Sequence, residues 1–406
     1  MNGTQHVIRR FIGLKKFRLV VMLVFFFQFH LSLTAYDLLE GLFDTGKSTI
    51  KTECDLPRDI TFFFADIKYT GSELKICEFG GMFTGGEHTH HIFNGPQKKV
   101  SFSYWDLFWH YLSRFNKPIW YIGEKKEAVM KTLTKVGGIA FSSSDEFLDY
   151  YSKQNFSKPT SSALFTGILV DKQRALKRRS FLKTYPEIIL VNAYTKKFAG
   201  KRNPIIELIT HNPELSELIP CWKMYEKKYT PTLALRITQE IPADFYIIKP
   251  VRGIMSKGVL MVSRKDLDSH LKLILQETEA IKPTDFSHLA YWKTDQNESF
   301  FVQAYAPSKE ITYERKRYDP TMRVIFFLSH DQGVVTVDVA AGFWKIPPQS
   351  LDAQAPLTEK HITRPFIGRF FSGIPIDPVD FKHVQKLLNS TLPSVYCKML
   401  EYATQH

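Results

Sequence analysis

Three stretches carry residue types at spacings that could do chemistry. Gly41-Leu-Phe-Asp-Thr-Gly46-Lys47-Ser48 fits the G-x-x-x-x-G-K-[ST] phosphate-loop pattern. Such a loop needs a buried strand before it and a helix starting at the Lys, so that backbone N–H groups point at phosphate. Asp37-Leu-Leu-Glu40 precedes it and Cys54-Asp-Leu-Pro57 soon follows, which leaves room for neither, so the segment reads as a linker. In Gly85-Gly-Glu-His-Thr-His-His91, His88 and His90 share one face if the segment is extended. Such a loop could bind zinc, hold a phosphate or substrate, or be a polar surface, and no further metal ligand follows at readable spacing. The third stretch, Tyr246-Ile-Ile-Lys249-Pro250-Val-Arg252-Gly253-Ile-Met-Ser256-Lys257-Gly258-Val259, is the most informative. Lys249 ends an apolar strand, Pro250 stops it, and a loop with two Gly and two more cations crosses back to the strand Gly258–Val262. That layout presents one anchored cation and a basic flap around an anion, with Gly allowing backbone N–H groups close to phosphate. Taken alone, the same stretch also reads as a solvated basic hairpin.

Later strand ends add to it. Phe301-Val-Gln303-Ala-Tyr305-Ala-Pro307 is a strand running out into irregular chain. Tyr318-Asp319-Pro-Thr-Met-Arg323-Val-Ile-Phe-Phe puts an Arg at the head of an apolar strand, and Val337-Asp338-Val-Ala-Ala-Gly342-Phe-Trp-Lys345 adds an acid and a Lys to another. In this order, over about residues 205–400, these stretches resemble the ATP-grasp superfamily, loosely its carboxylate–amine ligases of the tubulin–tyrosine ligase and glutathione synthetase types. The resemblance implies that Lys249 holds the α- and β-phosphates of ATP. It implies that the segment containing Arg252, Ser256, Lys257 and Gly258 is the flap over the phosphates, and that Gln303 to Tyr305 is the hinge whose backbone reads adenine. Arg323 would meet the γ-phosphate or an acyl phosphate, Lys345 would be a second cation beside it, and Thr358-Glu-Lys-His361-Ile-Thr363 would be a substrate loop. The implied activity is ATP-dependent joining of a carboxylate to an amine through an acyl phosphate, with Mg²⁺ as cofactor.

One part of the pattern is missing. These ligases carry a late E-x-N on a strand, whose oxygens hold Mg²⁺. Beyond Lys345 the acids are Asp352, Glu359, Asp377, Asp380 and Glu401, and none sits in that motif. Asp338 is the one candidate metal ligand left, although Mg²⁺ usually takes one or two carboxylates besides phosphate oxygens. A shortened reading frame, a catalytically inactive binding module associated with a membrane, and a different metal arrangement all stay open. A basic nucleic-acid or anionic-lipid binder is a further alternative, without an aromatic–basic ladder or recognition motif to support it.

The elements that must position these residues are legible as apolar runs. Ile60-Thr-Phe-Phe-Phe-Ala-Asp-Ile67 and Leu74-Lys-Ile-Cys-Glu-Phe79, joined by Thr70-Gly71-Ser72, predict a β-hairpin. Short apolar runs at 118–123, 138–141, 163–170 and 187–191 alternate with helical segments around 103–114, 124–135 and 171–184, which predicts an α/β layer. After Pro204 and Pro213, strands at 245–249, 258–262, 299–305, 323–328 and 334–338 and a helical face over 264–281 predict an antiparallel-rich α+β unit. The expected organisation is an N-terminal hydrophobic segment over 1–36, an α/β domain over 37–205 and an ATP-grasp-like domain over 206–406.

With 406 residues, 44% hydrophobic and 23% charged, the composition is that of a globular chain rather than a disordered, fibrous or multi-span one. The four Cys form no C-x-x-C pair, against a zinc ribbon or a thioredoxin-type site. The formal net charge of +13 favours acidic partners such as a nucleotide, nucleic acid or an anionic membrane face. Arg9, Arg10, Lys15, Lys16 and Arg18 supply five of those charges ahead of the apolar run Leu19–Phe27, leaving +8 for the rest. That arrangement reads as a signal peptide or a membrane anchor over residues 19–35. A working signal would export the protein to a compartment without ATP, so a cytoplasmic body, loosely associated with the membrane, fits the ligase reading better.

Overall fold

The computed structural model describes residues 47–52, 56–81, 89–93, 99–154, 167–199, 202–251, 256–281, 288–363 and 373–405. The apolar segment 19–35, Gly41–Gly46, Cys54, His88 and Arg252 therefore lie outside the described residues. The chain begins with strands β1 (Lys47–Lys51), β2 (Asp59–Tyr69) and β3 (Leu74–Gly81), a hairpin of β4 (Thr89–Phe93) and β5 (Lys99–Ser103), and helix α1 (Tyr104–Ser113). An alternating stretch follows: β6 (Ile119–Ile122), α2 (Glu127–Lys135), β7 (Ile139–Phe141), α3 (Ser144–Lys153), β8 (Gly167–Asp171), α4 (Arg178–Thr184) and β9 (Ile188–Leu190). Next come α5 (Arg202–His211), β10 (Trp222–Glu226), α6 (Leu233–Glu240), β11 (Phe245–Pro250), β12 (Leu260–Ser263), α7 (Leu267–Leu275), α8 (His288–Thr294) and β13 (Ser299–Ala304). The last elements are β14 (Ile311–Tyr313), β15 (Lys316–Tyr318), β16 (Thr321–Asp331), β17 (Val334–Lys345), α9 (Leu357–His361), β18 (Gly373–Ile374) and α10 (Pro378–Gln405).

The largest sheet has the order β1-β17-β16-β2-β3, with β18 on β17. Its central strands β2 and β16 are dense in Phe, Ile and Val, which suit a strand covered on both faces, and nearly every residue in them is buried. One face packs on α10 through Phe63, Ala65, Ile67, Val324, Phe326, Val337 and Val339 against Val384, Leu388, Leu392, Val395, Tyr396 and Met399. Those helix residues recur every three or four positions, the stripe that a helix lays on a sheet. The register of β16 on β17 shifts between Ile325 and Phe326, and buried Gln385 donates from Nε2 to the Val339 carbonyl there at 2.9 Å.

The other face is covered over its lower half by α1, where Tyr111 stacks on Phe327 at 3.8 Å and Phe108 tilts against Phe62. The four-stranded parallel sheet β7-β6-β8-β9 lies beyond, where Tyr121 meets Trp105 and Trp109 of the same helix. It is the α/β layer expected between residues 118 and 191. Its last strand is tied to the large sheet by Asn192, whose N–H donates to Ile60 and whose side chain brackets Phe62 N and O. A third sheet, antiparallel β10-β13-β11-β12, packs one face on α6, α7 and α8 through Tyr246, Ile248, Val262, Phe300 and Val302. The expected boundary near residue 205 does not divide the large sheet. Strands β1 to β3 from its N-terminal side and β16 to β18 from its C-terminal side are hydrogen-bonded neighbours.

Candidate functional site

Strand alternation decides which charged groups meet. Residues paired across neighbouring strands point to the same face. Arg323 of β16 is paired with Asp66 of β2, Asp66 with Glu78 of β3, and Thr321, two residues before Arg323, with Lys345 of β17. All four charged residues therefore stand on the sheet face opposite α10, at the end where α1 does not reach. Arg323 grips Asp66 with both ends of its fork, Nε to Oδ1 at 2.8 Å and a terminal nitrogen to Oδ2 at 2.9 Å, and Lys345 Nζ reaches Oδ2 at 2.6 Å. The Phe64 ring lies 3.8 Å from the Arg323 guanidinium carbon, a cation–π floor beneath it. Burial would raise the Asp66 carboxyl, but the charges of Arg323 and then Lys345 hold it well below the usual carboxylate range. Burial and the Arg323 charge push the Lys345 ammonium down to about 8 against the pull of Asp66. Glu78, across the strand from Asp66, is exposed.

The small sheet turns its uncovered face to the same region. Ile247 and Lys249 alternate on β11, with Met261 and Gln303 paired beside Ile247 and Phe301 beside Lys249. Lys249 is buried at the strand end. Burial raises the Cys77 thiol, while Lys249 and then Lys68 pull it the other way, which sets the Lys249 charge within electrostatic reach of the residue next to Glu78. A knot of hydrogen bonds ties the two sheets together: the buried Asp319 carboxylate accepts from Lys68 Nζ at 2.8 Å, Tyr305 OH at 2.7 Å and the Ser308 N–H at 3.0 Å. His361 Nδ1 of α9 lies 2.9 Å from the same carboxylate. Burial would raise Asp319, but Lys68 and His361 hold it low, and burial together with Asp319 raises the Tyr305 phenol.

Lys249, Arg323 and Lys345 are thus gathered at one place. Gln303 and Tyr305 lie on the neighbouring strand end, where the Ala304 N–H already bonds to the Cys221 carbonyl and the Tyr305 N–H to Phe245. Ser256 and Gly258 both hold positive φ, and a Cβ on Gly258 would meet Tyr291 and Pro250 below 3.0 Å, so the loop turns there on a true glycine position. Ser256 Oγ donates to the Thr363 carbonyl at 2.9 Å, which joins the proposed flap to the segment after α9, and Lys257 is exposed. Thr358 of α9 accepts the Met261 N–H at 2.9 Å, so the expected substrate loop is docked along the edge of β12.

Asp338 is placed elsewhere. It pairs with Phe327, four residues along β16 from Arg323 and roughly 13 Å away by strand rise. There it is buried and bridged to Arg114 at 3.0 Å. The carboxylates that stand beside Arg323 and Lys345 are Asp66 and Glu78, which reading downstream of Lys345 could not reach. They come from the N-terminal hairpin, 257 residues before Arg323. The signal that could have found them was an Asp inside the otherwise aromatic run Phe62-Phe-Phe-Ala-Asp66, with an acid on the returning strand. Two adjacent carboxylates on one face, one buried and one exposed, fit a divalent cation that completes its shell with phosphate and water oxygens. Among the described residues no group of three or more His, Cys, Asp or Glu forms an all-protein metal cage. Lys47 and Ser48 of the phosphate-loop-like segment lie on strand β1, not at the start of a helix. His90 and His91 belong to β4.

No protein family and no curated protein matches the sequence. Among solved structures, the crystal structure of D-cycloserine synthetase DcsG is similar at a TM-score of 0.34 and 13% identity, covering 70% of this chain and 82% of that one.

Proposed function

We propose that the chain is an ATP-dependent carboxylate–amine ligase of ATP-grasp type, with ATP held between the uncovered face of the small sheet and the charged end of the large one. The observation that carries this reading is the convergence of Lys249, Arg323 and Lys345 with the facing acids Asp66 and Glu78. Three cations beside two carboxylates match a metal-bound triphosphate better than they match a plain anion or a plain metal. Lys249, rigid at its strand end, would hold the α- and β-phosphates as a point charge, with the loop at Ser256 to Gly258 above them. Asp66 and Glu78 would hold Mg²⁺, which lowers the charge of the triphosphate. Arg323 and Lys345, which share Asp66 in the ligand-free chain, would face the transferred phosphoryl group.

In the reaction a substrate carboxylate oxygen attacks the γ-phosphorus, the bond to the β-phosphate oxygen breaks, and ADP leaves. The amine nitrogen then attacks the acyl carbon, phosphate departs with the C–O bonding pair, and the nitrogen gives up a proton. The protein contributes position and charge neutralisation in a site shielded from water. A nucleotide-binding module without turnover is the second reading. It is favoured by the engagement of Asp66 with two cations, since a carboxylate so held must exchange partners before it can take a metal.

Calorimetry with ATP and Mg²⁺ tests the assignment. Lys249→Ala is expected to abolish nucleotide binding, and Glu78→Gln to weaken only its Mg²⁺-dependent part, on the order of tenfold, while leaving the fold intact. Unchanged affinity in Lys249→Ala removes the nucleotide site. ADP release by the wild type with binding intact separates the ligase from the silent module.

A further inference from the structure

The parallel sheet carries a second charged region that the nucleotide reading does not use. Strand order reverses between β6 and β8, the position at which open parallel sheets form a crevice at their C-terminal ends. The chain leaving β8 toward Arg174 and Arg178 and the chain leaving β9 toward Lys196 emerge on that side. Lys196 is pushed down to about 8, first by burial and then by Arg178 and Arg174, which places the three cations within one another's fields. The neighbouring acid is committed, since the Asp171 carboxylate accepts the N–H groups of Ala175 at 3.3 Å and Leu176 at 3.2 Å. None of the three cations forms an ion pair with a described residue, and Arg178 Nε is buried without an acceptor. Arg174 holds the left-handed backbone at φ 58°, a conformation that costs a non-glycine residue free energy. The wall is rigid, because Asn192 pins the exit of β9 to β2.

Half-buried like charges without a counter-charge are an unfavourable arrangement for an empty protein. They become favourable once an anion arrives, and a guanidinium fork beside an ammonium matches the oxygens of a phosphoryl group. We propose that the crevice bordered by Arg174, Arg178 and Lys196 binds a phosphoryl-bearing polyanion, either a free diphosphate group or a phosphorylated lipid headgroup. The site is separate from the nucleotide cluster. Arg178 acts on Asp59 at the foot of β2, and Asp66 stands seven residues further along the same strand, roughly 23 Å away.

The test uses the full chain, with inorganic pyrophosphate by calorimetry at low salt and flotation with phosphatidylcholine vesicles with and without phosphatidylinositol bisphosphate. The expected result is a site that survives Lys249→Ala and is weakened at least tenfold in the double variant Arg178→Met, Lys196→Met. Pyrophosphate binding indicates a soluble ligand, and binding to the bisphosphate vesicles alone indicates a headgroup; either supports the proposal. Methionine keeps the apolar stems and removes the repulsion, so the ligand-free double variant is expected to melt at or above the wild-type temperature. Binding unchanged in the double variant, loss of the site in Lys249→Ala, absence of binding to both probes, or a lowered melting temperature overturns the proposal.

Discussion

Asp59 and Asp66 lie seven residues apart on β2, both buried, and they meet opposite fates. Asp66 faces away from α10, where Arg323 and Lys345 keep it ionised. Asp59 points to the α10 side and is met by hydroxyls: Tyr396 OH donates to it at 2.7 Å, and Thr61, itself 2.5 Å from Thr195, donates at 2.5 Å. Burial raises the Asp59 carboxyl to about 6, and the hydroxyls only partly oppose that. One strand thus carries a carboxylate whose charge is used and another whose charge is a burden. The difference lies in the partners that two non-neighbouring strands supply, since burial is the same for both.

The largest effect is expected from Asp66→Asn. It leaves Arg323 and Lys345 buried without their counter-charge, and should cost about 3–5 kcal/mol of unfolding free energy at neutral pH, read by urea denaturation. A cost below about 1 kcal/mol would mean that solvent already neutralises these cations, and the contrast with Asp59 would collapse. The second effect is a pH dependence of opposite sign at the two ends. A carboxyl raised in the folded state favours the fold below about pH 4 and loses that contribution as pH climbs through about 6. Relative to the wild type, Asp59→Asn should therefore gain on the order of 3 kcal/mol between about pH 4 and about pH 8. Asp66, held low, contributes stability above the ordinary carboxylate pKa of 3.8 and loses it as pH falls further. A flat difference curve for Asp59→Asn would show that its carboxyl is not raised. The smallest effect is expected from Tyr396→Phe, which removes one donor from Asp59 and should cost about 1–2 kcal/mol. That variant should also push the Asp59 carboxyl higher, moving the pH transition upward.

Much of the local structure was legible because it rests on local pattern. The runs at 60–67 and 74–79 became β2 and β3, and the helical segment around 103–114 became α1. The alternating stretch between 118 and 191 became a parallel sheet with its helices. The cations at the ends of β11, β16 and β17 were legible for the same reason, since a charge ending an apolar run is conspicuous. What could not be read was which strands would become neighbours. Periodicity tells which face a residue takes within its own strand and nothing of the strand beside it. The acids near Arg323 were therefore sought downstream of Lys345, where Asp338 offered itself, while Asp66 and Glu78 waited in a hairpin assigned to another domain. The role of α9 was hidden likewise, because Thr358 and His361 take meaning only from β12 and Asp319.

The mixed parentage of the large sheet also bears on how the protein is made. Strand β2 leaves the ribosome with eleven residues destined for burial on both faces, among them three consecutive Phe. Its principal partner β16 follows only later, since Asp66 and Arg323 are separated by 257 positions. At about 5–20 residues per second, synthesis of that interval takes roughly 13–50 s. For that time the most apolar strand of the sheet has only β3 on one side, and its other edge is open to any passing chain. The nascent protein is therefore most exposed to aggregation before its second half exists, and shelter for β2 during translation is part of what its fold requires.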